Sequence, residues 1–147
     1  MSRSILVARW ALVPLAAWAT WVVTVAATIG LYSVVETFCP VDQVVSGMCV
    51  APWFRHAAQA VFCTGSALGA VLIPIASTAV APAHRRRVAL VTFVVGALVA
   101  VGMAIAATAY LELATALVVG ALVTWRLRRA GWVDRPLRAA TPAARPA

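Results

Sequence analysis

The sequence is too apolar for a water-soluble domain. Of its 147 residues, 64% are hydrophobic and only 11% are charged, and the mean hydropathy is +0.97. Soluble domains are about 45–50% apolar and about 25% charged, and a chain of this length cannot hide so much apolar surface by folding in water. These values exclude a soluble enzyme or binding module and predict a single all-α integral membrane domain.

The net charge of +8 does not indicate a nucleic-acid-binding protein. All 12 basic residues are arginines, and most of them fall in short clusters directly beside the apolar runs. A nucleic-acid-binding face gathers its basic residues on one surface of a soluble domain, whereas arginines that flank apolar runs are typical of membrane topology signals. We therefore predict the lipid bilayer as the surroundings of this chain and no nucleic acid as a partner.

Four apolar segments are long enough to cross a bilayer as helices. The first two lie at about 10–32 and 57–80, and each exceeds the about 20 residues that a ~30 Å hydrocarbon core requires. The first is also longer than the apolar region of about 7–15 residues in a secretory signal peptide, so we expect it to remain as a span. Residues 88–125 would extend about 57 Å as one helix, so they predict two spans, at about 88–106 and 111–126.

The arginine distribution predicts how these spans are oriented. Four spans place eleven arginines on one side and only Arg55 on the other. Arginines concentrate in the cytoplasmic segments of membrane proteins, so we predict a bacterial inner-membrane protein with both termini in the cytoplasm. Residues 1–130 then form the transmembrane domain, 33–56 an extracytoplasmic loop within it, and 131–147 a flexible cytoplasmic tail.

Small residues indicate how the helices pack. Lipid tails leave little hydrophobic drive between helices, so spans associate where small side chains let their backbones approach. Gly65 and Gly69 form such a pair in the second span, and Gly96 and Gly120 lie in similar stripes of the third and fourth. We predict a compact four-helix bundle that packs at these four glycines.

The loop between the first two spans contains two cysteines, Cys39 and Cys49. Disulfides persist outside the cytoplasm, where the arginine pattern places this loop. A bond between these cysteines would close a loop of about eleven residues. In the chain-entropy description, this closure stabilises the folded state by about 2.5–3 kcal/mol. We predict this disulfide. The helical spacing of Val41, Val44, Val45 and Met48 further predicts one or two helical turns on the membrane surface, ended by Gly47.

Two other chemistries of this loop remain open. The cysteine pair could exchange electrons with a partner, although redox enzymes place their reactive thiolate in a tighter CxxC motif. Alternatively, Cys39, Met48, Cys49 and His56 are ligand types that suit Cu(I) or Zn(II), although their spacing matches no zinc signature. The third cysteine, Cys63, falls within the second span and is expected to behave as a small apolar residue.

The spans themselves indicate no reaction. Ion-coupled transporters and voltage sensors keep ionisable groups at mid-membrane, but the acid nearest to a span centre, Glu112, is expected at the outer rim. Trp18 and Trp21 are expected near mid-membrane, facing lipid or a neighbouring subunit. We therefore expect an accessory or structural subunit that has no catalytic centre or cofactor of its own and binds another membrane protein or a second copy. A thiol-redox or metal-handling protein is the first alternative, and a small transporter or channel is the second.

Overall fold

The computed structural model describes residues 3–129, with side chains from Val7 onward. Within them lie four helices: α1 (Arg3–Glu36), α2 (Phe54–Val80), α3 (Arg85–Ala107) and α4 (Tyr110–Arg129). All four are long and apolar enough to cross a membrane, which confirms the four apolar helices predicted from the sequence. The predicted tail at 131–147 lies outside the described residues.

Helix α2 is the centre of the fold, because it packs against each of the other three helices. Gly65 of α2 faces Thr28 of α1, and Gly69 faces Thr24, so α1 and α2 run in opposite directions. In α4, Gly120 lies against Ala70 of α2 and the ring of Phe93 of α3. The helices therefore alternate in direction along the chain, with α2 and α4 parallel.

Short left-handed turns connect the last three helices. His84 precedes α3 at φ +51° and Thr108 follows it at φ +55°. The backbone N–H groups of Thr108 and Ala109 both donate to the carbonyl of Ala104, which satisfies a carbonyl that the end of α3 would otherwise leave unpaired. This turn lies where the sequence predicted a break between the third and fourth spans.

The interior is built from small side chains and the exterior from large ones. The buried residues include four alanines and three threonines, whereas the exposed large side chains are spread over the outward faces of all four helices. Trp18 is 65% exposed and Trp21 is 41% exposed, so both point away from the bundle. This distribution suits a lipid surrounding, because close backbone approach replaces hydrophobic burial as the basis of packing.

The four predicted packing glycines divide into two groups. A methyl group added at Gly65 would lie 2.7 Å from Thr28 Cγ2, and one added at Gly120 would lie 2.8 Å from Phe93 Cε2, while Gly69 has ordinary contact at 3.6 Å from Thr24. Gly96 has nothing within 4 Å. Within residues 3–129 Gly96 therefore makes no close helix contact, and the packing role predicted for it stays a prediction.

The segment between α1 and α2 is a β-hairpin preceded by one 3-10 turn, so the helical structure predicted for it is confined to Val41–Gln43 and does not continue to Gly47. A single 3-10 turn at Val41–Gln43 leads into strands β1 (Val44–Val45) and β2 (Met48–Cys49), which pair antiparallel. Ser46 and Gly47 form the two-residue turn, with φ of +52° and +79°. Two consecutive residues at positive φ form the tight hairpin turn that matches strand twist, so Gly47 reverses a hairpin rather than ending a helix.

Candidate functional site: the disulfide-closed hairpin

The hairpin is closed by the cysteine pair predicted from the sequence. The sulfur atoms of Cys39 and Cys49 lie 2.00 Å apart, at disulfide bonding distance, and their Cα atoms are 6.0 Å apart. Cys39 follows the last turn of α1, where its N–H donates to the carbonyl of Glu36 at 3.0 Å, and Cys49 is the last residue of β2. The disulfide therefore ties the far strand of the hairpin to the end of α1.

Backbone hydrogen bonds continue this closure beyond the two short strands. The N–H of Gln43 donates to the carbonyl of Pro40, and the N–H of Val50 donates to the carbonyl of Gln43, each at 2.9 Å. Val45 pairs with Met48 and Val44 with Cys49. Because side chains of directly paired residues share one face of a hairpin, Val45 and Met48 point to one side and Cys49 to the other.

Aromatic contacts fix the base of the hairpin on the bundle. Phe54, the first residue of α2, is buried, and its ring packs edge-on against Tyr32 of α1 with 5.7 Å between centroids. Tyr32 also contacts Phe62, about two helical turns after Phe54 in α2, with 5.5 Å between ring centroids. Ala51, directly before this cluster, is buried as well. The hairpin is thus held by its disulfide and by the packed ends of α1 and α2.

The rest of the hairpin presents apolar side chains to its surroundings. We call the following five residues the hairpin surface: Phe38, Val41, Val45, Met48 and Val50. Val41 is 91% exposed, Phe38 71% and Met48 67%, and the other two are more than half exposed. Large apolar side chains this exposed beyond the ends of the spans are candidates for contact with protein or membrane.

A polar contact between α2 and α4 lies below the hairpin. The amide Nε2 of Gln59 donates to Glu112 Oε1 at 2.6 Å and also lies 3.8 Å from the sulfur of Cys63. Glu112 is in the first turn of α4, so its position near one end of a span agrees with the sequence. The sequence analysis did not identify its partner Gln59. Gln59 is the one Gln or Asn within the four α-helices, and it lies early in α2, at the same end of the bundle as Glu112.

The geometry constrains the two alternative chemistries predicted for the loop. Thiolates are the metal-binding form of cysteine, and the disulfide leaves only Met48 and His56 of the four predicted ligands with free donor atoms. His56 is exposed in the first turn of α2 and Met48 is exposed on β2. Within residues 3–129, no three His, Cys, Asp or Glu side chains are grouped as metal ligands would be. In the disulfide form, the predicted ligand set is therefore reduced to Met48 and His56.

The fold and the site define a multi-pass membrane protein with four candidate spans and a disulfide-closed hairpin between the first two. No protein-family profile, curated protein or solved structure matches the chain. Its function is therefore inferred from its own residues.

Proposed function

We propose that this chain is an accessory or structural subunit of a complex in the bacterial inner membrane, with both termini in the cytoplasm. Its hairpin surface would bind the extracytoplasmic part of another membrane protein. The observation that carries the proposal is the hairpin surface itself, which is fixed by covalent and aromatic contacts yet leaves its large apolar side chains exposed.

The proposed orientation rests on the charges at the two ends of the bundle. The end where α2 meets α3 and where α4 finishes carries Arg85, Arg86 and Arg87 together with Arg126, Arg128 and Arg129. The opposite end carries the hairpin, the acids Glu36, Asp42 and Glu112, and the single arginine Arg55. The positive-inside tendency assigns the arginine-rich end to the cytoplasm, and the disulfide suits the oxidising compartment on the other side.

A preformed apolar surface favours binding over catalysis or transport. Holding the loop in one conformation before association reduces the ordering cost that a flexible loop would incur on binding. Glu112, the acid closest to a span interior, is occupied by Gln59 near one end of α4. Coupled transport uses ionisable groups along its path through the membrane, and the described spans present no such path in this arrangement.

The test is purification of the chain from its native membranes in a mild detergent. We expect it to elute as part of a larger complex of fixed stoichiometry that contains a second membrane protein. The variant Val41→Ser should release that partner, because position 41 is the most exposed apolar position of the hairpin surface. Asp42→Ser is the matched control, since Asp42 is exposed in the same 3-10 turn and contributes no apolar area.

Three outcomes would contradict the proposal. Isolation of the wild-type chain as a monodisperse monomer would show that it is not part of a stable complex. Equal loss of the partner in Val41→Ser and Asp42→Ser would show that the apolar surface is not the contact. A photoreactive group placed at position 48 that labels only lipid would assign the hairpin surface to the bilayer interface instead.

A further inference from the structure

A proline interrupts the backbone hydrogen bonds of α2 inside the bundle. Pro74 is buried within α2, and it has no N–H to donate to the carbonyl of Ala70, one turn earlier in the helix. In a membrane, a carbonyl freed by proline is paired again by Ser or Thr side chains, by a neighbouring helix or by ordered water. The carbonyl of Ala70 therefore needs a donor other than the one that its own helix would usually supply.

Two buried hydroxyl groups in the same region have no partner in the protein. Ser77 of α2 is 0% exposed and Thr124 of α4 is 4% exposed, and within residues 3–129 neither side-chain oxygen has a hydrogen-bond partner. The buried hydroxyls of Thr24 and Thr78, in contrast, donate to carbonyls of their own helices. Because an unpaired buried hydroxyl is destabilising, Ser77 and Thr124 indicate a polar group that the protein itself does not supply.

The packing of α2 against α4 brings these groups to neighbouring levels. Gly120 of α4 lies against Ala70 of α2, and the two helices run parallel. Thr124 is one turn after Gly120, and Pro74 is one turn after Ala70, so each lies about 6 Å further along its helix. Ser77 follows Pro74 on the same buried face of α2, about 4.5 Å beyond it. Along the bundle, the Thr124 hydroxyl therefore lies between the freed carbonyl and the Ser77 hydroxyl.

We propose that this contact between α2 and α4 binds ordered water, which bridges the Thr124 hydroxyl to the Ser77 hydroxyl and to the carbonyl of Ala70. Hydroxyls both donate and accept, whereas a carbonyl only accepts, and water serves both kinds of group. The ring of Phe93 covers Gly120 beside this region, and both hydroxyls are buried, so the ligand is as small as water. The site is independent of the hairpin and of the proposed accessory role.

The first test detects the water in the full-length chain, reconstituted in lipid vesicles with isotopically labelled threonine. In solid-state NMR, proton magnetisation that starts on water should reach the side chain of Thr124 within a short mixing time. Thr24 is the internal control, because it is also buried but its hydroxyl donates to the carbonyl of Thr20 at 2.8 Å. A transfer to Thr124 that is absent, or no stronger than the transfer to Thr24, would overturn the site.

The second test uses the sign of a change in stability. If water pairs with the Ser77 hydroxyl, Ser77→Ala removes a hydrogen bond and should raise the equilibrium constant of unfolding by about fivefold. The measurement is unfolding in mixed micelles with a rising mole fraction of sodium dodecyl sulfate. If the hydroxyl were buried without a partner, its removal would relieve a penalty. Unchanged or increased stability of Ser77→Ala would therefore overturn the proposal.

A double-mutant cycle tests whether the two hydroxyls share the same water. Thr124→Val keeps the shape of the side chain but removes its hydroxyl. In Ser77→Ala/Thr124→Val, the loss should be at least about threefold smaller than the product of the two single losses, because the first substitution already disrupts the bridge. In the control Ser77→Ala/Thr24→Val the two losses should multiply. Losses that also multiply in Ser77→Ala/Thr124→Val would overturn the shared site.

Discussion

Substitution of Gly65 by alanine should separate α1 from α2, and Gly96→Ala should not. The added Cβ of Gly65→Ala would meet three atoms of Thr28: Oγ1, which is nearest, Cγ2 at 2.7 Å and Cβ at 3.0 Å. Thr28 cannot rotate away without cost, because its hydroxyl donates to the carbonyl of Thr24 at 2.8 Å. The two helices must therefore move apart by several tenths of an ångström, and gaps of about 0.5–1 Å forfeit a quarter to a half of the dispersion energy across them.

The expected loss of stability in Gly65→Ala is about 1–3 kcal/mol, the usual cost of overpacking a close contact. Gly96→Ala is the matched control, since it makes the same change in a helix at a site with nothing within 4 Å, and it should leave stability within about 0.5 kcal/mol of the wild type. The measurement is unfolding in mixed micelles with a rising mole fraction of sodium dodecyl sulfate, followed by far-UV circular dichroism.

A double variant keeps this experiment interpretable. Thr28→Ala removes two of the three Thr28 atoms that the new methyl group meets, so Gly65→Ala/Thr28→Ala should recover part of the loss, with a coupling energy of about 0.5–2 kcal/mol. Equal stability of Gly65→Ala and Gly96→Ala, or the absence of any recovery in the double variant, would refute the close approach of α1 and α2 at Gly65.

Three other predictions test the hairpin and the polar contact below it. Cys49→Ser should lower the free energy of unfolding by about 2.5–3 kcal/mol in the chain-entropy description, measured in the same micelle titration. In cells, alkylation of free thiols should find the wild-type Cys39–Cys49 pair oxidised throughout growth. A pair that alternates between the reduced and oxidised forms would favour the redox alternative. Gln59→Leu should cost about 1–3 kcal/mol, because it leaves Glu112 without its partner in a part-buried position, whereas Thr64→Ala, at an exposed position on α2, should change stability by less than about 0.5 kcal/mol. Gly47→Val should strain the turn by about 1–2 kcal/mol, since Gly47 is at φ +79°. It should therefore slow re-formation of the disulfide after reduction. Re-formation at the wild-type rate would contradict a role of the Gly47 turn in bringing the two cysteines together.

Much of the candidate site could be inferred from residue types, but its geometry could not. The pairing of Cys39 with Cys49 followed from their shared loop and the compartment that the arginines indicate. The hairpin did not, because Val44, Val45 and Met48 fit a helical spacing that starts at Val41 as well as they fit two short strands. The turn at Ser46 and Gly47 decides between them, and its two positive φ values are a property of the folded backbone.

The contact between Gln59 and Glu112 also could not be predicted from the sequence. Both are polar residues near the start of an apolar helix, and each alone is compatible with a position at the membrane interface. Their hydrogen bond requires α2 and α4 to be parallel neighbours with these positions at one level. Helix order around the bundle is not encoded by any single span, so the pair emerges only when the spans are assembled.

The sequence by itself determined the number of apolar helices, the breaks between them and the separation of arginines from acids along the chain. These are local properties, set by the length of each apolar run and by the charges beside it. The tertiary structure decided which faces of the helices meet. Gly65 and Gly120 are covered while Gly96 is not, because packing between spans depends on close fit between particular surfaces rather than on hydrophobicity, which every face of these helices shares.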